Sequence, residues 1–158
     1  MSPATVADPQ AIAGVFSYVP LLAHLNERQR RRLADLATTR AYEAGSTIVR
    51  QGDTSMALYV LVSGHVRIER ESEAGKSVQV EALGHGGFFG EMGLIEDRPR
   101  AATVIADEET ECALLAKWDF QNELRTDPDI ALALLPVLGA RIRDLDDQLV
   151  RLHHTDGG

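Results

Sequence analysis

The feature that most constrains the fold is a run of short, closely spaced β-type segments between residues 39 and 117. The segments Leu58 to Val62 and Val66 to Glu71 are separated only by Ser63-Gly64-His65, which is typical of a tight β-hairpin. About eight such segments follow one another with no long helix between them. This pattern predicts a mainly β domain with flanking helices, built as an eight-stranded antiparallel jelly-roll barrel.

Helical patterns flank the β region and divide the chain into three parts. Residues 1–38 form an N-terminal helical lead, in which Pro20 is expected to end a first helix and Asn26 to cap the next. Residues 39–117 form the barrel. Residues 118–158 form a hinge followed by a long C-terminal helix, which Asp127 is expected to cap.

The C-terminal helix carries an apolar stripe with the spacing of a coiled coil. Its members are Leu135, Leu138, Ile142, Leu145, Leu149 and Leu152. Charged residues fill many of the positions between them, so the stripe predicts a parallel homodimer of these helices. The alternative is a helix that packs only on its own barrel.

The segment 88–104 combines a glycine turn, an acidic residue and an arginine. Phe89-Gly90-Glu91-Met92-Gly93 is followed, after a break at Pro99, by Arg100-Ala101-Ala102-Thr103-Val104. A loop can bring Glu91 and Arg100 together although they lie nine positions apart. Because an acid beside an arginine suits a ligand with a hydroxyl and a phosphate, we hypothesise that this segment grips a cyclic nucleotide. A plain surface ion pair is the alternative.

Composition argues against several other kinds of site. The formal net charge of -8 argues against a general nucleic-acid surface, and an anionic ligand therefore needs a locally positive pocket. The single cysteine, Cys112, excludes an internal disulfide, and we expect a buried, inert thiol. No two histidines in the β region have close ligand spacing, so we predict no metal site and no enzyme activity. Without a leader or an apolar run near ~18 residues, we expect a cytoplasmic protein that does not contact a membrane.

Residues 10–152 together resemble the cyclic nucleotide-binding domain. This family includes the regulatory subunits of cyclic-AMP-dependent protein kinase, the bacterial catabolite activator protein and nucleotide-gated channels. The resemblance implies that residues 88–104 form a phosphate-binding cassette, in which Glu91 accepts from the ribose 2′-hydroxyl and Arg100 pairs with the phosphate oxygens. The implied ligand-binding residues are Phe89, Gly90, Glu91, Met92, Gly93, Arg100, Ala101 and Ala102.

The resemblance also implies a preference for the base. Relatives that prefer cyclic GMP tend to carry Thr or Ser directly after the arginine, whereas this sequence has Ala101. The implied ligand is therefore cyclic AMP, with cyclic GMP or another nucleotide as the alternative. The adenine-contacting Thr-Ser pair of the activator family corresponds here to Leu145 and Asp146, so a base lid formed by Arg141, Leu145 or Leu149 is expected instead.

The predicted function is a non-catalytic sensor whose C-terminal helices move when cyclic AMP binds. In activator-type regulators a helix-turn-helix domain follows the long helix. This chain ends at Gly158, so we expect it not to bind specific DNA. The sensor either stands alone or serves as the sensor domain of a larger transcription regulator or signalling protein.

Overall fold

Helices occupy both ends of the computed structural model, which describes residues 8–156. The N-terminal helices are α1 (Pro9–Phe16), α2 (Pro20–Ala23) and α3 (Glu27–Leu36). The C-terminal helices are α4 (Lys117–Thr126) and α5 (Pro128–Asp156). Within the described residues no helix combines the length and the apolar character needed to cross a membrane.

The central region forms two four-stranded antiparallel sheets. Its strands are β1 (Thr38–Tyr42), β2 (Thr47–Val49), β3 (Ala57–Ser63), β4 (Val66–Glu71), β5 (Ser77–Leu83), β6 (Phe88–Phe89), β7 (Thr103–Ala106) and β8 (Thr110–Ala116). One sheet has the strand order β1-β8-β3-β6 and the other has the order β2-β7-β4-β5. A short 3₁₀ helix, Glu91–Leu94, follows β6 directly.

The side chains on the two faces of β3 belong to two different hydrophobic clusters, one on each side of its sheet. Leu58 and Val60 pack with buried residues of the helices, whereas Leu61 packs with Val66 and Val104 of the opposite sheet. Successive side chains of a strand point to opposite faces, so β3 contributes to both clusters. The prediction of eight antiparallel strands in a jelly-roll arrangement is confirmed, although the strands form two facing sheets and not a closed barrel.

The N-terminal helices agree with the sequence prediction at Asn26 and differ from it at Pro20. The Asn26 side chain accepts a hydrogen bond from the Gln29 backbone N–H (2.8 Å), and the Gln29 side chain accepts one from the Asn26 N–H (3.1 Å). This capping box confirms Asn26 as the start of a helix. Pro20 was expected to end a helix but instead opens α2, because proline lacks only an N–H that the first helical turn does not need.

The apolar packing of the C-terminal helix on the domain is confined to its first turns, up to Leu138. Asp127 accepts a hydrogen bond from the Asp129 backbone N–H (3.2 Å), which confirms its predicted role as a cap. Ile130 and Leu134 are buried against the helical core. Further along, the predicted stripe is solvent-exposed: the exposed fraction is 67% for Ile142. The alternative in which this stripe packs on its own barrel is therefore wrong beyond Leu138, which still contacts the core.

Candidate functional site

A cavity of about 430 Å³ opens beside β6, the 3₁₀ helix and the segment that leads into β7. This volume lies within the range of small-molecule sites. The cavity brings together all the cassette residues that the sequence singled out. They are Phe89, Gly90, Glu91, Met92, Gly93, Arg100, Ala101 and Ala102.

Gly90 forms the turn that shapes the cavity floor. Its φ of 82° lies in the left-handed region, which glycine adopts without steric cost. A Cβ at this position would lie 2.6 Å from the Ala57 carbonyl oxygen and would overlap the Nη1 atom of Arg100. Only glycine therefore leaves room for the arginine side chain that enters the cavity.

Arg100 occupies a partly buried position in the cavity. Its Nη2 donates to the Ala57 carbonyl oxygen (3.0 Å), and its guanidinium carbon lies 5.3 Å from the centre of the Tyr59 ring. Burial lowers the pKa of Arg100 below its ordinary value, but an arginine side chain remains charged in proteins. Its Nη1 is buried and has no hydrogen-bond partner within residues 8–156. A buried cationic N–H without an acceptor is costly, so this atom indicates the place of an anionic ligand group.

Glu91 is buried, with 6% of its surface exposed, and it is held by two distant parts of the chain. Its Oε2 accepts from the Leu21 backbone N–H (2.9 Å), and its Oε1 accepts from Nη2 of Arg141 on α5. Among the described ion pairs, Glu91 is bonded to Arg141 and not to Arg100. Burial of Glu91 contradicts the alternative of a plain surface pair. The direct Glu91–Arg100 contact suggested by the loop spacing is also absent, because α2 and α5 supply the partners of the carboxylate.

The two phenylalanines of β6 belong mainly to the packed interior. Phe88 packs against the helical core, and Phe89 packs into the core between the sheets. The Phe89 ring stacks on Tyr59 with their centres 4.8 Å apart. Since Tyr59 also lies under the Arg100 guanidinium, the stacked pair supports the arginine from one side.

Of the three expected lid residues, the structure brings one to the cassette. Arg141 contacts Glu91 and also donates to the Met92 sulfur (Nη1 to Sδ, 3.1 Å). Leu145 and Leu149 are exposed on α5 and do not line the cavity. A leucine lid stays a prediction, whereas the cassette and α5 are joined directly through Arg141.

Sequence reasoning missed Leu21, Ser55 and Tyr59. Leu21 contributes through its backbone, which carries no sequence signal, and it lies 70 positions from Glu91. Tyr59 follows the alternation of an ordinary strand, and Ser55 lies in a turn-like segment before β3. Only the tertiary structure places Ser55 in the cavity wall, Tyr59 beside Arg100 and the Leu21 N–H beside Glu91.

Cys112 lies outside the lining of the cavity. The structure confirms that the Cys112 thiol is buried, and burial raises its pKa to about 12. Within residues 8–156 no group of three or more His, Cys, Asp or Glu side chains is placed to hold a metal ion.

Comparison with known proteins identifies the family of this fold and cavity. The model of the cyclic nucleotide-binding domain matches residues 39–127. The chain is 35% identical over 112 residues to a cAMP-dependent protein kinase regulatory subunit of Blastocladiella emersonii, covering 71% of this chain and 28% of that protein. It is 37% identical over 110 residues to the Cyclic AMP receptor protein of Thermus thermophilus, covering 70% of this chain and 51% of that protein.

A solved structure shows the same fold. The N-terminal domain of a transcriptional regulator from Streptomyces coelicolor A3(2) superposes with a TM-score of 0.79 at 30% identity, covering 85% of this chain and 94% of that one. The chain therefore belongs to the cyclic nucleotide-binding domain family, the family of sensor domains found in such regulators. The aligned part spans from about a quarter to about half of the curated relatives described above.

Proposed function

We propose that this chain binds cyclic AMP in the cassette cavity and acts as a non-catalytic sensor. The observation that carries the proposal is the buried Nη1 of Arg100, which lacks an acceptor within the described chain. An exocyclic phosphate oxygen is a charged acceptor that fits the planar guanidinium fork. The names of the kinase regulatory subunit and of the Thermus receptor support cyclic AMP as the ligand class.

The carboxylate of Glu91 is proposed to bind the ribose 2′-hydroxyl. It lines the same cavity as Arg100, and its buried oxygens are already fixed by two donors. A carboxylate can accept a further hydrogen bond because each oxygen offers two lone pairs. Glu91 then binds the ribose hydroxyl of the ligand and Arg100 binds its phosphate, so the two side chains do not pair with each other.

Cyclic AMP is proposed over cyclic GMP because of the residue after the arginine. Ala101 lines the cavity with a methyl group, which offers no hydroxyl to a guanine amino group. A site that lacks the matching polar group gives guanine no compensation for the desolvation of its polar edge. We therefore expect cyclic AMP to bind more tightly than cyclic GMP.

Movement of α5 is proposed to carry the signal. Arg141 reaches from α5 to Glu91, the residue that is proposed to meet the ribose. A ligand hydroxyl at Glu91 alters the bonds available to Arg141, so the ligand's affinity depends on where α5 lies. This difference in affinity is what allows a ligand to shift a conformational equilibrium.

A parallel homodimer through α5 is proposed as the oligomeric state. The exposed stripe supports it, with Ile142, Leu145 and Leu149 each more than half exposed. An apolar stripe of this spacing is normally covered by a partner helix. Light scattering at micromolar concentration should give a dimer, and Ile142→Asp should give a monomer. A monomeric wild type with and without ligand would exclude the dimer.

We propose that the chain does not itself bind specific DNA. Its net charge of -8 opposes the phosphate contacts that supply most protein–DNA affinity. A gel-shift assay with random and promoter DNA tests this proposal, and sequence-specific retardation would contradict it.

Calorimetry with cyclic AMP and cyclic GMP is the decisive experiment for the ligand. Arg100→Ala leaves the phosphate without its charged partner, which should cost roughly 3 to 5 kcal/mol of binding free energy. This corresponds to a loss of about two to four orders of magnitude in affinity. Arg28→Ala is the matched control, because Arg28 is an exposed arginine of α3 outside the cavity. Equal affinity of the Arg100→Ala variant and the wild type would refute the site.

A further inference from the structure

Ser55 is a buried polar residue of the cavity wall that the family motifs do not include. Only 6% of its surface is exposed, and it lines the same cavity as Arg100. Its backbone N–H donates to the Arg98 carbonyl oxygen (3.3 Å). Its hydroxyl, by contrast, has no hydrogen bond to any of the described residues. Among the described residues, Nη1 of Arg100 is the only fully buried side-chain polar atom without a partner, so the unpaired Ser55 hydroxyl keeps some exposure to the cavity that Ser55 lines.

Ser55 lies close to both segments of the cassette, namely the 3₁₀ helix and the segment that leads to Arg100. A Cβ on Gly93 would overlap Ser55 Oγ and would lie 2.9 Å from Ser55 Cβ, so the hydroxyl lies directly against the 3₁₀ helix. The hydrogen bond to the Arg98 carbonyl oxygen holds the Ser55 backbone beside the segment that leads to Arg100. Two residues after Ser55, the Ala57 carbonyl oxygen accepts from the Arg100 guanidinium. Along an extended chain two residues span roughly 7 Å, so the hydroxyl lies at the arginine end of the cavity.

We propose that Ser55 is a further ligand-binding residue, whose hydroxyl donates a hydrogen bond to a phosphate oxygen of the bound cyclic nucleotide. The inference rests on the proposed function and deepens it. A phosphate has two exocyclic oxygens, and Arg100 does not exhaust their lone pairs. The ribose hydroxyl has its acceptor in Glu91, so the phosphate is the group that satisfies both unpaired donors, Nη1 of Arg100 and Oγ of Ser55.

Ser55→Ala tests the contact by calorimetry with cyclic AMP. Loss of a hydrogen bond to a charged group should weaken binding about tenfold or more. Ser63→Ala is the control, since Ser63 is an exposed serine at the end of β3 and outside the cavity. It should bind as the wild type does. Thermal unfolding without ligand checks that the variants are folded. If Ser55→Ala does not fold, the nearly isosteric Ser55→Cys, a weaker hydrogen-bond donor, replaces it with the same expected direction.

A merely structural role for Ser55 against Gly93 predicts a different result with modified ligands. The two diastereomeric phosphorothioates of cyclic AMP each replace one exocyclic oxygen by sulfur, which is a weaker acceptor. In a double-mutant cycle, Ser55→Ala should be non-additive with the replacement of one of the two oxygens and additive with the other. A purely structural effect would weaken both diastereomers and cyclic AMP equally.

The outcomes separate this inference from the proposed function. If the wild type binds cyclic AMP and the Ser55 variant binds it equally tightly, Ser55 is not a ligand-binding residue and the proposed function stands. Equal coupling to both diastereomers would also overturn the inference. If the wild type binds no cyclic nucleotide, the proposed function fails, and the Ser55 contact fails with it.

Discussion

Replacing Gly90 by alanine should destabilise the protein and displace the Arg100 side chain, which packs against this turn. Two effects act at this position. The φ of 82° is unfavourable for any residue with a Cβ, which costs about 1 to 2 kcal/mol. The added methyl group would also lie 2.6 Å from the Ala57 carbonyl oxygen and overlap the Arg100 guanidinium. Overpacking of this kind costs about 1 to 3 kcal/mol.

Gly45→Ala provides a matched control for the backbone effect. Gly45 has a similar φ of 87°, and nothing lies within 4 Å of the Cβ that would be added. We expect Gly45→Ala to lower the free energy of unfolding by about 1 to 2 kcal/mol and to leave cyclic AMP affinity unchanged. For Gly90→Ala we expect a loss of about 2 to 5 kcal/mol in stability.

The larger consequence of Gly90→Ala concerns binding. The guanidinium is the flexible end of a side chain, whereas the Ala57 carbonyl is backbone, so Arg100 is the group that must move. Affinity for cyclic AMP should then fall toward that of Arg100→Ala. Urea denaturation measures the stability of both glycine variants, and calorimetry measures their affinity. Equal stability and equal affinity of the Gly90 and Gly45 variants would refute the argument that Gly90 is required for its close contacts.

Three further predictions concern parts of the molecule outside the cavity. Arg32→Ala should lower the midpoint of urea denaturation, because it leaves the buried carboxylate of Glu123 without its two hydrogen bonds of 3.1 and 3.2 Å; an unchanged midpoint would contradict this. Cys112, whose pKa burial raises to about 12, should not react with a thiol reagent at pH 8 until the protein is unfolded, and fast labelling of the native protein would be the contrary result. The hydrogen bond from Arg67 lowers the pKa of Asp107, so this carboxylate stabilises the fold above its unfolded pKa and the contribution is lost as pH falls through the lower folded pKa; Asp107→Asn should flatten that acid part of the pH–stability curve, and an identical curve would exclude the effect.

Several elements were predictable because their signals are local. The Asn26 cap depends on a side chain that reaches a backbone N–H three residues away, and the motif around Gly90 depends on a turn of a few residues. The Pro20 prediction was wrong because the same ring that ends a helix also suits its first turn, and only the following backbone decides between the two.

The partners of Glu91 were not predictable from its neighbourhood in sequence. The spacing suggested Arg100, but the buried carboxylate binds the Leu21 N–H and Arg141, which lie 70 and 50 positions away. A buried charge takes the donors that the packed helices bring to it, and sequence separation does not determine them. For the same reason the three proposed lid residues on α5 differ in position. Arg141 reaches the cassette, whereas Leu145 and Leu149 are exposed to solvent.

By itself the sequence determined the strand pattern, the glycine turn, the cassette motif and the apolar stripe of the last helix, because alternation, φ preference and helical spacing are properties of neighbouring residues. Only the tertiary structure decided that one buried N–H of Arg100 has no acceptor among residues 8–156, while Glu91 is held by α2 and α5. It also decided that Ser55 faces the same cavity. These relations depend on how the sheets and helices pack, since a hydrogen bond forms only between groups that packing brings within about 3 Å.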